Sequence, residues 1–192
     1  MVSERLQHLA QLSSLDTPRL RLRQFAVADF NDYAALCAEG EVMRYVGDHG
    51  TLSREDAWRQ LAMLVGHWML RGYGMWAVEE LCSGALVGRV GFHFPEGWPE
   101  PELGWALARP YWGRGYAFEA ASTALRFAFE TLGWPRVVSL IAPLNRRSIR
   151  LAERLGERFE RNLVLRSHEL CLYAIERGNW QAERLSPQAA VT

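Results

Sequence analysis

The chain is 192 residues long, enough for one domain whose core buries about 70% of the unfolded chain's surface, so neither a metal nor a disulfide is needed for stability. Hydrophobic residues at 49% and charged residues at 23% exclude a disordered segment, and the longest apolar run, Leu61–Leu70, is too short to span a bilayer. The 22 basic and 22 acidic residues cancel, which argues against a strong field toward nucleic acid or anionic membrane; all the basic residues are Arg, which excludes chemistry on a lysine amine.

Residues 1–16 are polar, with Leu6, Leu9 and Leu12 at spacing three, and read as a short helix or a frayed lead-in. They lack the basic and apolar stretches of a secretion signal. Cys37, Cys82 and Cys171 form no CxxC pair and read as free, buried thiols, which together with the missing signal fits a reducing cytoplasm. Arg19-Leu20-Arg21-Leu22-Arg23 alternates as a half-buried strand does. Ala26–Ala38 predicts a helix with Phe30, Tyr33, Ala34 and Cys37 on one side, and 41–52 a loop. Ser53 and Asp56 resemble a capping box opening a helix to about Leu70, with Trp58, Leu61, Leu64, Val65 and Trp68 on its apolar face. Met75–Glu80 and Ala85–Phe94 read as a hairpin, 95–101 as a Pro-rich loop, and Glu102–Ala108 as a strand. A helix from Tyr116 to Leu132, a strand from Arg136 to Ala142, a helix from Asn145 to Leu155 and a closing strand pair over 159–177 complete the order β-α-α-β-β-β-α-β-α-β-β, one mixed α/β domain over 17–178 with a polar tail over 179–192.

The stretch 102–132 carries the chemistry. Gly113 and Gly115 permit dihedrals and close approach that a Cβ would block, and the helix behind them offers unpaired N–H groups and a positive dipole end, a site for a pyrophosphate or carboxylate; the same pattern also suits a plain strand–helix turn. Phe118 stands where a dinucleotide fingerprint needs a third glycine, which disfavours a Rossmann site. Downstream, a second strand ends in Pro143-Leu144-Asn145-Arg146-Arg147-Ser148, with Asn145 placed as a helix N-cap.

Together, Thr17-Pro18-Arg19-Leu20-Arg21-Leu22-Arg23, Glu102-Leu103-Gly104-Trp105, Trp112-Gly113-Arg114-Gly115-Tyr116-Ala117-Phe118-Glu119-Ala120, and Asn145-Arg146-Arg147-Ser148 with Leu155-Gly156 resemble the Gcn5-related N-acetyltransferase (GNAT) superfamily, and within it the ribosomal-protein-alanine acetyltransferase (RimJ/RimL-type) branch. The resemblance implies a mixed central sheet of about six to seven strands flanked by about four helices. It also implies acetyl-CoA as cosubstrate without a metal, and an amine acceptor, either a small molecule or a protein N-terminus. Homodimers occur in this fold.

The expected base is Glu102, directly or through water, with burial beside Trp105 raising its pKa; a structural carboxylate is the competing reading. Glu119 reads as structural, favourable at a helix N-terminus. A backbone N–H near Leu107 would meet the oxyanion. Leu107, Ala108, Trp112, Gly113, Arg114, Gly115, Tyr116, Ala117, Asn145 and Ser148 are the expected cosubstrate-binding residues. Ser148 is also expected to protonate the leaving thiolate, because Ala152 occupies the place of the superfamily's frequent tyrosine acid. Glu157 stands where an aromatic is usual, and Pro110 where the wider superfamily has Gln or Arg. Trp68, Trp76, Trp98, Trp105 and Tyr45 line either the acceptor pocket or the core, and loops 41–52 and 95–101 are the expected acceptor contacts. His93 and His168 read as hydrogen bonders rather than bases. The alternative from a different class is a non-catalytic acyl-CoA-binding module.

Overall fold

The computed structural model describes residues 14–47 and 50–180. The lead-in around Leu6, Leu9 and Leu12 and the tail beyond residue 180 lie outside the described residues. In chain order the elements are β1 (Leu15–Asp16), β2 (Leu20–Arg23), α1 (Phe30–Ala38), α2 (Gly40–Met43), α3 (Arg54–Arg71), β3 (Met75–Glu80), β4 (Leu86–His93), β5 (Glu102–Leu107), α4 (Tyr116–Arg126), β6 (Arg136–Ile141), α5 (Arg146–Arg154), β7 (Arg158–Leu165) and β8 (His168–Glu176). The strands form one mixed sheet in the order β1-β2-β3-β4-β5-β6-β8-β7.

Period-two alternation divides the strands between two cores. Trp76, Val78, Val90, Leu103 and Leu107 pack on one face beneath Ala120, Ala121, Ala124 and Leu125 of α4, whose small side chains let the helix lie close. Met75, Ala77 and Ala106 face the other way, under Tyr33, Leu36 and Cys37 of α1 and Leu61 and Leu64 of α3.

Several local expectations shift. Residues 27–29 form a tighter 3-10 turn before α1, because the Asp29 carboxylate accepts from the Ala26 N–H and from Arg23 and so closes the chain there. The loop read over 41–52 begins inside α2. Ser53 accepts from the Asp56 N–H (3.0 Å), but the Asp56 carboxylate returns to the Ser53 hydroxyl (2.6 Å). Trp58 is largely exposed, packing its edge on Phe30, and Ala57 and His67 take the buried positions instead. Cys37 is buried as read, whereas Cys82 is exposed at the β3–β4 turn and Cys171 is half-buried. No helix among the described residues is long and apolar enough to cross a membrane.

The feature that positions the site is the junction of β5 and β6. Among the described strands they are the only parallel neighbours, and they pair at a single register, Glu102 with Val138. Val138 N–H donates to the Pro101 carbonyl (3.2 Å), and beyond that point the strands part. Elsewhere β5 is paired with β4 along its whole length, from His93–Glu102 to Gly88–Leu107.

Candidate active site

Side chains fill the mouth of the split where main-chain bonds are missing. The Leu103 carbonyl, which faces β6, accepts from the Ser139 hydroxyl (2.9 Å). The Leu140 N–H, which faces β5, is taken by the Glu102 carboxylate, and the Trp98 indole N–H donates to the same carboxylate at 2.7 Å. Deeper in the split, Ala108 N–H donates to the Val87 carbonyl across β4 (2.8 Å). By strand alternation the Leu107 N–H and C=O therefore face the open side. The Leu107 carbonyl is held by the Trp112 indole N–H (2.7 Å), which leaves its N–H pointing into the gap.

The bend after β5 is built to expose backbone. Residues 109–111 form a 3-10 turn with Pro110 near its start, and Gly113 and Gly115 adopt φ of 75° and 79°, which a side chain would strain. Gly115 is also the N-cap of α4 and brings no side chain to satisfy the first turn. The N–H groups of Tyr116, Ala117 and Phe118 have no intrahelical partner there. The back of the bend is braced: Arg19 donates to the Arg114 carbonyl (2.9 Å), and Glu119 accepts from Arg19 and from the Thr17 hydroxyl (2.6 Å). Glu119 is thus structural, as read. Tyr116 donates its hydroxyl to Glu80 (2.6 Å), so only its main chain faces the bend. Arg114 lies 3.8 Å from Glu80 and half-exposed beside Tyr111. Ala108 has its N–H on Val87 and its carbonyl on Tyr111 N–H, which leaves only its methyl group.

At α5 the Asn145 side-chain oxygen caps the helix by accepting from the Ser148 N–H (3.2 Å), and its amide NH2 remains for a ligand. The Ser148 hydroxyl accepts from the Trp105 indole (3.1 Å) and keeps its own proton to donate. Arg146 follows the cap directly, and Arg147 lies over Trp112 (4.6 Å).

A cavity of about 480 Å³ brings these parts together. Glu102, Leu103, Trp105, Ser139, Leu140, Asn145 and Ser148 form its wall at the split; Met43, Tyr45, Val46, Gly47, Gly50, Thr51 and Leu52 form a second wall, and Trp98, Arg166 and His168 a rim. The structure thereby joins Glu102 to Ser148 and Asn145 and places both expected acceptor loops at one opening. It separates the aromatic group: Trp98, Trp105 and Tyr45 line the cavity, whereas Trp68 and Trp76 are core. Leu107 and the bend residues Ala108 to Ala117 lie beyond the cavity wall, at the far end of β5.

Burial pushes the Glu102 carboxyl up to about 7, against the Trp98 indole, the Arg89 charge and the Leu140 N–H. The expectation of a raised value holds, but the indole beside the carboxyl is Trp98. Trp105, an odd number of residues along β5, packs its ring toward α4 and α5 and meets the cavity at the wall beside Ser148. His93, opposite Glu102 on β4, is held down to about 4 by burial and then by Arg89, and so is neutral at pH 7.

A second carboxyl, Glu157, stands out in the sequence only as a departure from an aromatic and has no expected place in the site. Glu157, fully buried just after α5, lies 3.0 Å from Ser139 Oγ, and its other oxygen has no partner. Ser139 has one proton, and the Leu103 carbonyl can only accept. Both bonds form only if Ser139 donates to Leu103 and a protonated Glu157 donates to Ser139. Burial, reinforced by the charge of Glu102, pushes Glu157 up to about 8, consistent with that assignment. Arg89 was also missed, although a charge in the middle of Leu86-Val87-Gly88-Arg89-Val90-Gly91-Phe92 is a visible signal. Among the described residues no group of three His, Cys, Asp or Glu side chains could hold a metal ion.

A sheet parted between two parallel strands, beside a glycine bend that opens a helix, is the architecture of an acetyltransferase fold. Residues 19–158 match the acetyltransferase (GNAT) domain family, and the chain belongs to it. An acetyltransferase structure from Agrobacterium tumefaciens str. C58 is 34% identical, with a TM-score of 0.75 covering 85% of this chain and 94% of that one. The uncharacterized N-acetyltransferase YoaA of Bacillus subtilis (strain 168) is 28% identical over 155 residues, 80% of this chain and 86% of that protein. A ribosomal-protein-S5-alanine acetyltransferase from Vibrio fischeri shares the fold alone, at 17% identity and a TM-score of 0.69 over 87% of this chain and 98% of that one.

Proposed function

We propose that the protein transfers the acetyl group of acetyl-CoA to a primary amine by direct attack. The observation that carries this reading is the β5–β6 split, with the Glu102 carboxyl at its mouth and the open glycine bend at its far end. An ammonium is not a nucleophile, so the acceptor must lose a proton first. A carboxylate titrating near 7 is matched to that task. The Leu107 N–H is the donor for the oxyanion as the thioester carbon becomes tetrahedral. The N–H groups over 113–117 receive the pyrophosphate, with Arg114 on its flank, and the Asn145 amide holds the pantetheine arm. The Ser148 hydroxyl donates a hydrogen bond to the departing thiolate, which takes up the proton that the amine nitrogen sheds as the amide forms, while the first amine proton stays on Glu102.

Within this reading the acceptor is a small amine or a protein N-terminal amine. Membership of the RimJ/RimL-type branch, a cytoplasmic location and a homodimer are proposals of the same kind. The non-catalytic module is not favoured, since both the family matched and the similar proteins are acetyltransferases.

The experiment is CoA release from acetyl-CoA over an amine panel, with Glu102→Gln and Ser148→Ala beside the wild type. Loss of the base is expected to cost at least about 100-fold in rate, and loss of the hydroxyl about tenfold. Wild-type rates in both variants would overturn the residue roles.

A further inference from the structure

Among the described residues, each buried carboxyl has at least one hydrogen-bond partner. Asp29 is held by Arg23, Glu80 by Tyr116 and Ser83, and Glu157 by Ser139. Arg89, in the middle of β4, is only 8% exposed, yet no carboxylate or carbonyl among the described residues lies within bonding distance of its guanidinium. It lines the cavity. None of its nitrogens is sealed away as a buried, unbonded atom, so the guanidinium faces the cavity, and its donors open on a space of ligand size.

Its position relative to Glu102 is fixed by the register. Arg89 pairs with Ala106, Gly91 with Gly104, and His93 with Glu102. These residues share one face, so Arg89 and Glu102 stand two rows apart on the cavity floor, about 13 Å along the strands between Cα positions. The row between them is bare: Met75 Cε lies 2.8 Å from where a Gly104 Cβ would be, so a flat apolar strip separates the two charged groups. The rim adds a second cation, Arg166, stacked over Trp98 (5.2 Å).

We infer that the acceptor is an amino carboxylate, its amine lying at Glu102 and its carboxylate received by Arg89. The inference rests on the acetyl-transfer reading and names the acceptor class of that same site. A plain amine entering the cavity would displace water from Arg89 and leave the guanidinium without an acceptor, while its own ammonium met two like charges. A carboxylate removes both penalties.

The test pairs ω-amino acids, from glycine to 6-aminohexanoate, and the common α-amino acids with their carboxamides. Thermal stabilisation in the presence of CoA and acetyl transfer are both measured, on the wild type, Arg89→Gln and Arg89→Lys. At least one acid is expected to stabilise the wild type more than its amide and to exceed it tenfold or more in kcat/KM. In Arg89→Gln that ratio falls to about one, and in Arg89→Lys it falls partway. The inference is overturned if no acid outbinds its amide in the wild type, a comparison that needs no variant to fold, or if the ratio survives Arg89→Gln. Selective binding of an acid without turnover of any amine would instead uphold the carboxylate site and sink the acetyl-transfer reading.

Discussion

The two ends of the β5–β6 split are made of different material. The bend over 112–117 presents main-chain N–H groups, and its side chains turn away: Tyr116 to Glu80, Trp112 to Leu107. The cavity beyond Glu102 presents side chains from segments as distant as Met43 and Leu170. Backbone donors suit a ligand that never changes, because substitution of neighbouring residues leaves them in place. Side-chain walls suit a ligand that differs between relatives. The comparison therefore predicts that cosubstrate affinity and acceptor chemistry are separable by mutation.

The largest effect belongs to the acceptor end. With Glu102 titrating at about 7, kcat/KM for transfer is expected to rise about tenfold between pH 6 and pH 8 and then level. In Glu102→Gln the rate is expected to fall by the margin given above and the pH step to disappear. Trp98→Phe removes an indole donor that favours the charged form, so the midpoint should move upward. A flat profile in the wild type would remove Glu102 from the role of base.

Next in size, Gly115→Val acts at the other end. It forces a β-branched residue to φ of 79°, with its Cβ only 3.4 Å from Arg19 Nη2. The KM for acetyl-CoA is expected to rise about 10- to 100-fold as the N–H groups lose alignment. The pH midpoint and the preference among acceptors should stay as they are. If acceptor preference shifts as much as acetyl-CoA affinity, the two ends are not independent.

The same contrast explains what was legible beforehand. The bend is a local pattern: Gly113 and Gly115 lie two residues apart, directly before an amphipathic helix, and their positive φ values follow from the residue type. The strand order near it was equally local, because β3, β4 and β5 are consecutive and antiparallel. The cavity is not local. Arg89, Ser139 and Glu157 belong to three elements, and only the sheet register and the return of the chain after α5 bring them to the split. Trp58 and Trp68 shared one helical stripe in the sequence, but α3 turns the first outward, since helical periodicity marks an apolar face without saying how much of it is covered. Glu102 was found from its place in a motif, yet its nearest indole was misassigned. Trp105 follows Glu102 on the same strand but turns its indole to Ser148, whereas Trp98 reaches Glu102 from the loop before the strand.

Glu157 gives a smaller, thermodynamic effect. Its carboxyl is raised from the usual 4.5 to about 8, so the folded state holds a proton that the unfolded chain releases. The stability it contributes is complete below about pH 4.5 and is lost as pH climbs through 8. Glu157→Gln keeps a donor toward Ser139 and cannot ionise. The margin of the variant over the wild type should widen between pH 6 and pH 9 by about 3 kcal/mol, read from melting curves across that range. Parallel curves would mean that Glu157 does not carry the proton assigned to it.

The smallest effect tests whether the two ends meet at Ser148. Trp105→Phe keeps the ring on the α4 side and removes one neutral donor to the Ser148 hydroxyl. On its own that is worth about 1 kcal/mol, which corresponds to a fall in kcat of roughly two- to fivefold. The decisive comparison is the double variant. If the indole acts only by orienting the hydroxyl toward the thiolate, Trp105→Phe should do nothing further to kcat once Ser148→Ala is in place, while both still lower the melting temperature. Losses in kcat that multiply would show that Trp105 shapes the split by packing, and Ser148 would then be reduced to a residue of the α5 cap.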